Sequence, residues 1–225
     1  MQYLSERLLA TQSRRARGDK AHHEAVATGQ RERVLAATER LVAERGCAGT
    51  SIERIAKQAR VSSITFYDHF ASKEEAFVAA FDRAVEETQA WLVQEAPAEH
   101  PWPARVREGL RALLAAIATH PERARMCLIE AQKGGPQLLA RYESALDAVV
   151  PQLREGRQLD SAAEGLPDTL EEAIAGGLAW LLRERLEATG AEGIEEMLPR
   201  LVDIALRPYL GSDEALHLAA SSGDA

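Results

Sequence analysis

Apolar residues recur three and four positions apart along most of the chain, and short polar or glycine- and proline-bearing breaks divide them into helix-sized blocks. Val34, Leu35, Thr38, Leu41 and Val42 predict a first helix over about 31–45, which Gly46 is expected to end in a left-handed C-cap. Ile52, Ile55, Ala56 and Ala59 mark a second, with Thr50 as N-cap and Glu53 reaching back in a capping box. A tight Arg60-Val61 corner follows. A third short helix then runs from 62 to about 68, with Val61, Phe66 and Phe70 turned inward. Ser72 and Glu75 repeat the cap pattern before a fourth helix that carries Phe77, Phe81 and Val85 to about 93.

Pro97, Pro101 and Pro103 interrupt the pattern, and the next stripe (Val106, Leu110, Leu113, Leu114, Ile117) predicts a helix over 104–118. His120-Pro121 ends it, and a short helix carries Met126, Cys127, Leu128 and Ile129. After a Gly134-Gly135-Pro136 turn comes a helix over about 137–155, which Pro151 should bend or end. A loop is expected at 156–167. Two further stripes follow, the first through Leu170, Ile174, Gly177, Leu178, Leu181 and Leu182. The second runs through Ile194, Met197, Leu198, Leu201, Val202, Ala205 and Leu206, with Pro199 kinking it or splitting off its first turn. Nothing alternates as a strand does. The fold expected is all-α with about nine helices, divided into a basic flexible arm (1–29), a three-helix domain (30–76), a helical body (77–211) and a polar tail (212–225).

Two short helices joined by a tight corner, one face apolar and the other polar, form a helix-turn-helix. In that unit the second helix lies in the DNA major groove. Ser62, Ser63, Thr65, Tyr67 and His69 fall on the face where DNA would sit. Charge agrees with this placement. The chain of 225 residues carries a net −8, yet residues 1–73 hold 13 Lys/Arg against 8 Asp/Glu, and the remainder is strongly acidic. A basic head on an acidic body fits one end facing phosphates. The Arg14–Lys20 stretch is either an arm reaching the DNA or an ordinary chain terminus.

The third helix contains no Arg, Asn or Gln, the side chains that grip guanine or adenine with two hydrogen bonds. It offers Ser62, Ser63, Ile64 and Thr65, of which Ile64 and the Thr65 methyl suit thymine methyls and Ser63 suits almost any base. Direct readout is therefore expected to be modest, with DNA shape contributing. Arg60 is either an exposed turn residue or an added phosphate contact.

Taken with Arg33 to Ala37, Gly46, Thr50, Ile55-Ala56, Val61-Ser62, Thr65-Phe66-Tyr67, His69-Phe70 and Ser72-Lys73-Glu74, the chain over about 31–80 resembles the N-terminal domain of the TetR family of bacterial transcriptional regulators. Two positions depart from that pattern: Arg60 stands at the family's turn glycine and Ile64 at its recognition-helix glycine. The resemblance implies that Tyr67, His69 and Lys73 hold phosphates, with Thr50 or Ser51 doing so from the start of the second helix. It implies a regulator, most often a repressor, that binds a palindromic double-stranded operator as a homodimer and responds to an unknown small-molecule effector held in the body.

Trp91, Trp102, Met126, Tyr142 and Trp180 are the candidates to line such a pocket, although each also suits plain core. Ile174, Gly177, Leu178, Leu181, Leu198, Leu201, Val202 and Ala205 are the candidate dimer surface, unless those stripes pack inside one subunit. Arg123 and Arg125 suit either an anionic ligand or a solvated face. No enzyme motif is present: there is no phosphate-cradling glycine loop, no G-x-S-x-G and no H-E-x-x-H. No catalytic residue, metal site or cofactor is expected. His22-His23 are adjacent and ill-placed for one metal. Cys47 and Cys127 are expected as inert thiols of a cytoplasmic protein with no membrane association. A helical interaction or small-molecule-binding protein with weak or non-specific DNA binding is the alternative reading.

Overall fold

The computed structural model describes residues 2–95, 99–159 and 165–220, with 2–24 and 220 as backbone alone. The described residues are mostly helical, with short turns between the helices and no strand. Helix α1 (Gln2–Gly49) begins well before the position at which apolar spacing marks it, and Gly46 breaks its regularity at φ 72° and ψ 167°. Residues 2–30 are built of good helix formers without a sustained apolar stripe, so propensity and not periodicity makes them helical. His22, His23 and Arg14–Lys20 lie outside the described side chains. A Cβ at Gly46 would also meet Glu130 Oε2 at 2.8 Å, so the Glu130 carboxylate would have to shift.

Helices α2 (Ile52–Ala59) and α3 (Ser63–Tyr67) complete the head, and α4 (Lys73–Glu95) leads into the body. The Ser72 half of the capping box before α4 forms, while Glu75 reaches one residue further back than the N-cap. Ser72 Oγ accepts from the Glu75 N–H at 3.1 Å and the Glu75 carboxylate accepts from the Ala71 N–H at 2.6 Å. Helix α5 (Trp102–Thr119) stops at His120, and α6 (Pro121–Arg125) runs on through a π-helical turn over Met126–Glu130. The helix expected over 137–155 is two, α7 (Pro136–Asp147) and α8 (Val150–Arg154), because Pro151 sits in the first turn of α8 and forces the break just before it. Pro199 likewise opens α10 (Leu198–Leu210) after a 3-10 turn at Ile194–Met197, with α9 (Leu170–Thr189) before it. The polar tail expected at 212–225 is instead a helix, α11 (Ser212–Ala220), as far as it is described. Ala215 and Ala219 bury against α10 and α5, where their short side chains let the helix approach closely.

Two apolar clusters hold these elements. One joins α1, α2, α3 and α4 through Val34, Leu35, Ile55, Phe66, Phe70, Phe77 and Phe81, and it takes in Met126, Ala131 and Leu138 from the body. The other fills the body between α5, α9, α10 and α11. The head's core is thus continuous with the π turn and α7, so residue 76 is no packing boundary. No helix among the described residues is long and apolar enough to cross a membrane.

Candidate nucleic-acid interface

Helix α2 turns Ile55, Ala56 and Ala59 into the core and leaves Glu53, Arg54, Lys57 and Gln58 to solvent. Its end is set by Arg60, which takes the left-handed conformation at φ 56° and ψ 45°. The Arg60 N–H bonds the Lys57 carbonyl at 3.2 Å and the Val61 N–H bonds the Ala56 carbonyl at 3.0 Å, closing the corner. Ser62 is the N-cap of α3: its Oγ accepts from the Thr65 N–H at 2.9 Å and shares a second hydrogen bond with the Thr65 hydroxyl at 2.9 Å. Phe66 and Phe70 are buried at 0% and 3% exposure and pin the helix to the core. Ser63, Ile64 and Tyr67 project from the opposite side, the latter two at 77% and 57% exposure. A short amphipathic helix fixed by two phenylalanines thus presents a free outer face.

Around this face lie the residues suited to phosphates. Tyr67 stands edge-on to Phe66, with ring centroids 5.8 Å apart, so the phenol is held while its hydroxyl stays in solvent. The half-buried His69 is 3.5 Å from Gln30 Oε1 through its Nε2. Lys73 Nζ donates to the carbonyls of Thr50 at 3.2 Å and Cys47 at 3.4 Å. An ammonium has three N–H bonds, so Lys73 ties the end of α1 to the start of α2, and its charge lies 4.0 Å from Glu74 Oε1. Thr50 is a correction. Its side chain is buried at 1% exposure and its hydroxyl donates to the Gly46 carbonyl at 2.9 Å, so it neither caps α2 nor reaches phosphate. Ser51 is the N-cap residue. Its side chain bonds the Glu53 carboxylate and holds that group below the usual carboxylate range. Thr65 is also less free than expected, because the Ser62 cap occupies its hydroxyl.

Gln30 and Arg31 were not legible as part of this face. Arg31 lies over the Phe70 ring at 5.2 Å, and Gln30 meets His69. Their only sequence signal is the positive charge of Arg31 beside the first apolar stripe; the fold brings them to α3 from about forty residues away.

Residues 34–80 match the model of the bacterial regulatory proteins of the tetR family. The N-terminal domain belongs to the TetR family. The likeness extends to whole solved structures. The fatty acid degradation regulator FadR from Bacillus halodurans superposes with a TM-score of 0.69 at 14% identity, over 80% of this chain and 94% of that one. FadR from Bacillus subtilis in complex with stearoyl-CoA gives 0.68 at 17% identity, over 80% and 98%. A TetR-family transcription regulator from Marinobacter aquaeolei VT8 gives 0.65 at 22% identity, over 82% and 97%. No protein of curated function matches the chain. The head geometry and the match over 34–80 agree on the DNA-binding helix-turn-helix domain of a TetR-type transcription regulator, at the N-terminal end of an all-α fold.

In the helical body the five candidate pocket residues do not converge. Trp102 is buried edge-on to Tyr209 at 5.0 Å, and its ring N–H donates to the Gln152 carbonyl at 2.7 Å. Met126 lies in the head's cluster at 1% exposure, Tyr142 is packed partly against that cluster, Trp91 is half-buried and Trp180 is 55% exposed. None of the five lines either of two open clefts. One, of about 180 Å³, lies between α1, α6 and the end of α9. The other, of about 330 Å³, lies between α4 and α7, where Phe81 and Val85 face Ala145 and Ala148, with Asp82, Glu86 and Arg141 at its sides.

The candidate dimer surface also needs correction. Ile174, Leu178, Leu181, Leu201, Val202 and Ala205 are buried within the subunit, none above 8% exposure, and Leu198 packs against the same cluster. The apolar stripes face the subunit's own core because α5 and α11 cover α10, while α7, α8, the π turn and α10 pack against α9. Gly177 and Leu198 alone of the eight are only partly buried, and Gly177 has open space beside it, with Gly176, Ala173 and Trp180 on the outer side of α9.

Arg123 belongs to no ligand site: its Nε donates to Glu39 at 2.7 Å and its Nη2 pairs with Glu87 at 2.7 Å. Arg125 donates to the Ala43 carbonyl at 3.0 Å. Cys47 is buried. Burial pushes its thiol up to about 11 and that of Cys127 up to about 12, so neither forms a thiolate near neutrality.

Proposed function

We propose that this chain is a homodimeric repressor that binds a palindromic operator and is released when a small-molecule effector occupies its C-terminal body. The observation that carries the reading is the outer face of α3, where Ser63, Ile64 and Tyr67 stand free while Phe66 and Phe70 lock the helix beneath them. Tyr67, His69, Ser51 and the positive charge of Lys73 face phosphates, and Ser63 and Ile64 meet base edges. Arg60, exposed at the corner, adds a positive charge beside the backbone.

One helix-turn-helix makes few contacts, and pairing across a two-fold axis doubles them. The outer face of α9 supports that pairing: beside Gly176 and Gly177 there is open space, and Trp180 offers an unspent indole. The groove between α4 and α7 is the place we assign to the effector. It lies on α4, whose first residue, Lys73, holds the end of α1 and the start of α2. An occupant that shifts α4 acts on the head through that tie and through the apolar cluster that Phe77 and Phe81 share with Phe66 and Phe70.

Mobility-shift titration of genomic duplex fragments against salt tests the reading. Affinity should fall steeply as salt rises, and Tyr67→Ala should weaken every fragment alike. Unchanged affinity in that variant would remove α3 from the DNA interface.

A further inference from the structure

Ile64 is the most exposed large hydrophobic residue among the described residues, at 77%. A single exposed apolar side chain is ordinary on a protein surface. Its position is what matters. Ile64 is the second residue of the helix that faces DNA, three positions before the exposed Tyr67 and opposite the buried Phe66. No described residue covers it.

Its neighbours have little to offer a base. Ser62 and Thr65 bond each other, and the Ser62 Oγ also takes the Thr65 N–H. Their hydroxyls therefore serve the helix cap. Ser63 keeps one short hydroxyl, which donates or accepts and so separates bases poorly. Between 61 and 70 there is no Arg, Lys, Asn or Gln to make a two-bond contact. The one large free group on the first turn is a branched hydrocarbon. In the major groove its chemical match is the 5-methyl group of thymine, since every other distinguishing feature there is a hydrogen-bond donor or acceptor. A β-branched side chain also has few χ1 states, so little freedom is lost when it settles against a methyl.

We infer that Ile64 is a specificity-determining residue that selects thymine by its 5-methyl group, at one fixed position in each half of the operator. This rests on the DNA-binding reading. It accounts for an isoleucine at a position where the family pattern has glycine, a residue with no side chain to read anything.

The full-length protein is used to select binding sites from a random duplex library, and each thymine of the enriched site is then replaced singly by deoxyuridine, which pairs identically but lacks the methyl. Loss of one buried methyl corresponds to about a fourfold weakening. The expected result is that loss at one thymine per half-site and none at the others. In Ile64→Ala the penalty at that thymine disappears, so thymine and uracil duplexes bind equally, while Ile64→Val retains part of it. Folding is checked by thermal melting, which an exposed residue should leave unchanged. An enriched site at which no methyl matters, or a methyl effect that persists undiminished in Ile64→Ala, overturns the inference alone. A protein that enriches no sequence overturns it together with the DNA-binding reading.

Discussion

Arg60 holds a left-handed corner with a side chain that disfavours it, at a penalty of about 1 kcal/mol relative to an unstrained residue. Arg60→Gly relieves the strain but loosens the unfolded chain, so a gain of roughly 0.5 kcal/mol is expected in urea melts. A loss of stability there would mean that the guanidinium supports the corner. Thr50 illustrates a different lesson. Spacing from Glu53 suggests a cap, yet local geometry gives the hydroxyl to the Gly46 carbonyl and passes the cap position to Ser51. Neighbouring serine and threonine compete for such roles, and the folded backbone decides between them. The thiols give a direct check. In the folded protein at pH 7.5, Cys47 and Cys127 should resist iodoacetamide, and both should label at once in denaturant; rapid native labelling of either would contradict the raised thiol values of about 11 and about 12.

At the level of elements, the join between head and body is ionic as well as apolar. Glu39 on α1, 12% exposed, accepts from Arg83 on α4 at 2.5 Å and from Arg123 on α6 at 2.7 Å. Arg83 also pairs with Glu32 at 2.9 Å, and Arg123 with Glu87 at 2.7 Å. Glu39→Ala leaves two partly buried guanidinium groups facing each other, so a loss on the order of 2–3 kcal/mol is expected in denaturant unfolding. Glu32, half exposed at 52%, sits at the rim, and Glu32→Ala should change stability by no more than about 0.5 kcal/mol. Equal effects from the two would show that the network is not a closed unit. Helix order and most breaks were legible because Gly46, Pro121, Pro136, Pro151 and Pro199 act through backbone geometry, which is local. The partners of Glu39 were not, because Arg83 and Arg123 lie 44 and 84 residues further along.

For the whole molecule, the closing contact of the body is Glu171. It is fully buried and accepts from Arg157 at 2.7 and 2.9 Å and from the Tyr209 hydroxyl at 2.8 Å. The Arg157 guanidinium, more than any other group, holds its carboxyl below the ordinary value of 4.5, against the opposing effect of burial. A depressed carboxyl stabilises the fold fully above that ordinary value and loses its contribution as pH falls through the lowered one. Glu171→Gln should therefore lower stability at pH 7 and flatten the acid side of a stability–pH profile; an unchanged profile would exclude Glu171 as its source. At the same scale, Trp180→Glu should leave the fold intact and shift light scattering at micromolar concentration towards the monomer, which tests the outer face of α9 as the pairing surface.

The residues alone determined the all-α class, the helix-turn-helix and its inward aromatics, because 3.6-residue periodicity, caps and turn residues act over one or two turns of chain. Family membership of the head was legible for the same reason: its motif occupies one continuous stretch, residues 34–80. Tertiary structure decided which apolar stripes of α9 and α10 were spent inside the subunit, that Trp102 and Met126 are core, and that Ser62 and Thr65 satisfy each other while Ile64 stands free. An apolar face specifies only that it must be covered. Whether a neighbouring helix, a second copy or a base fills that role depends on elements distant in sequence, and packing settles it.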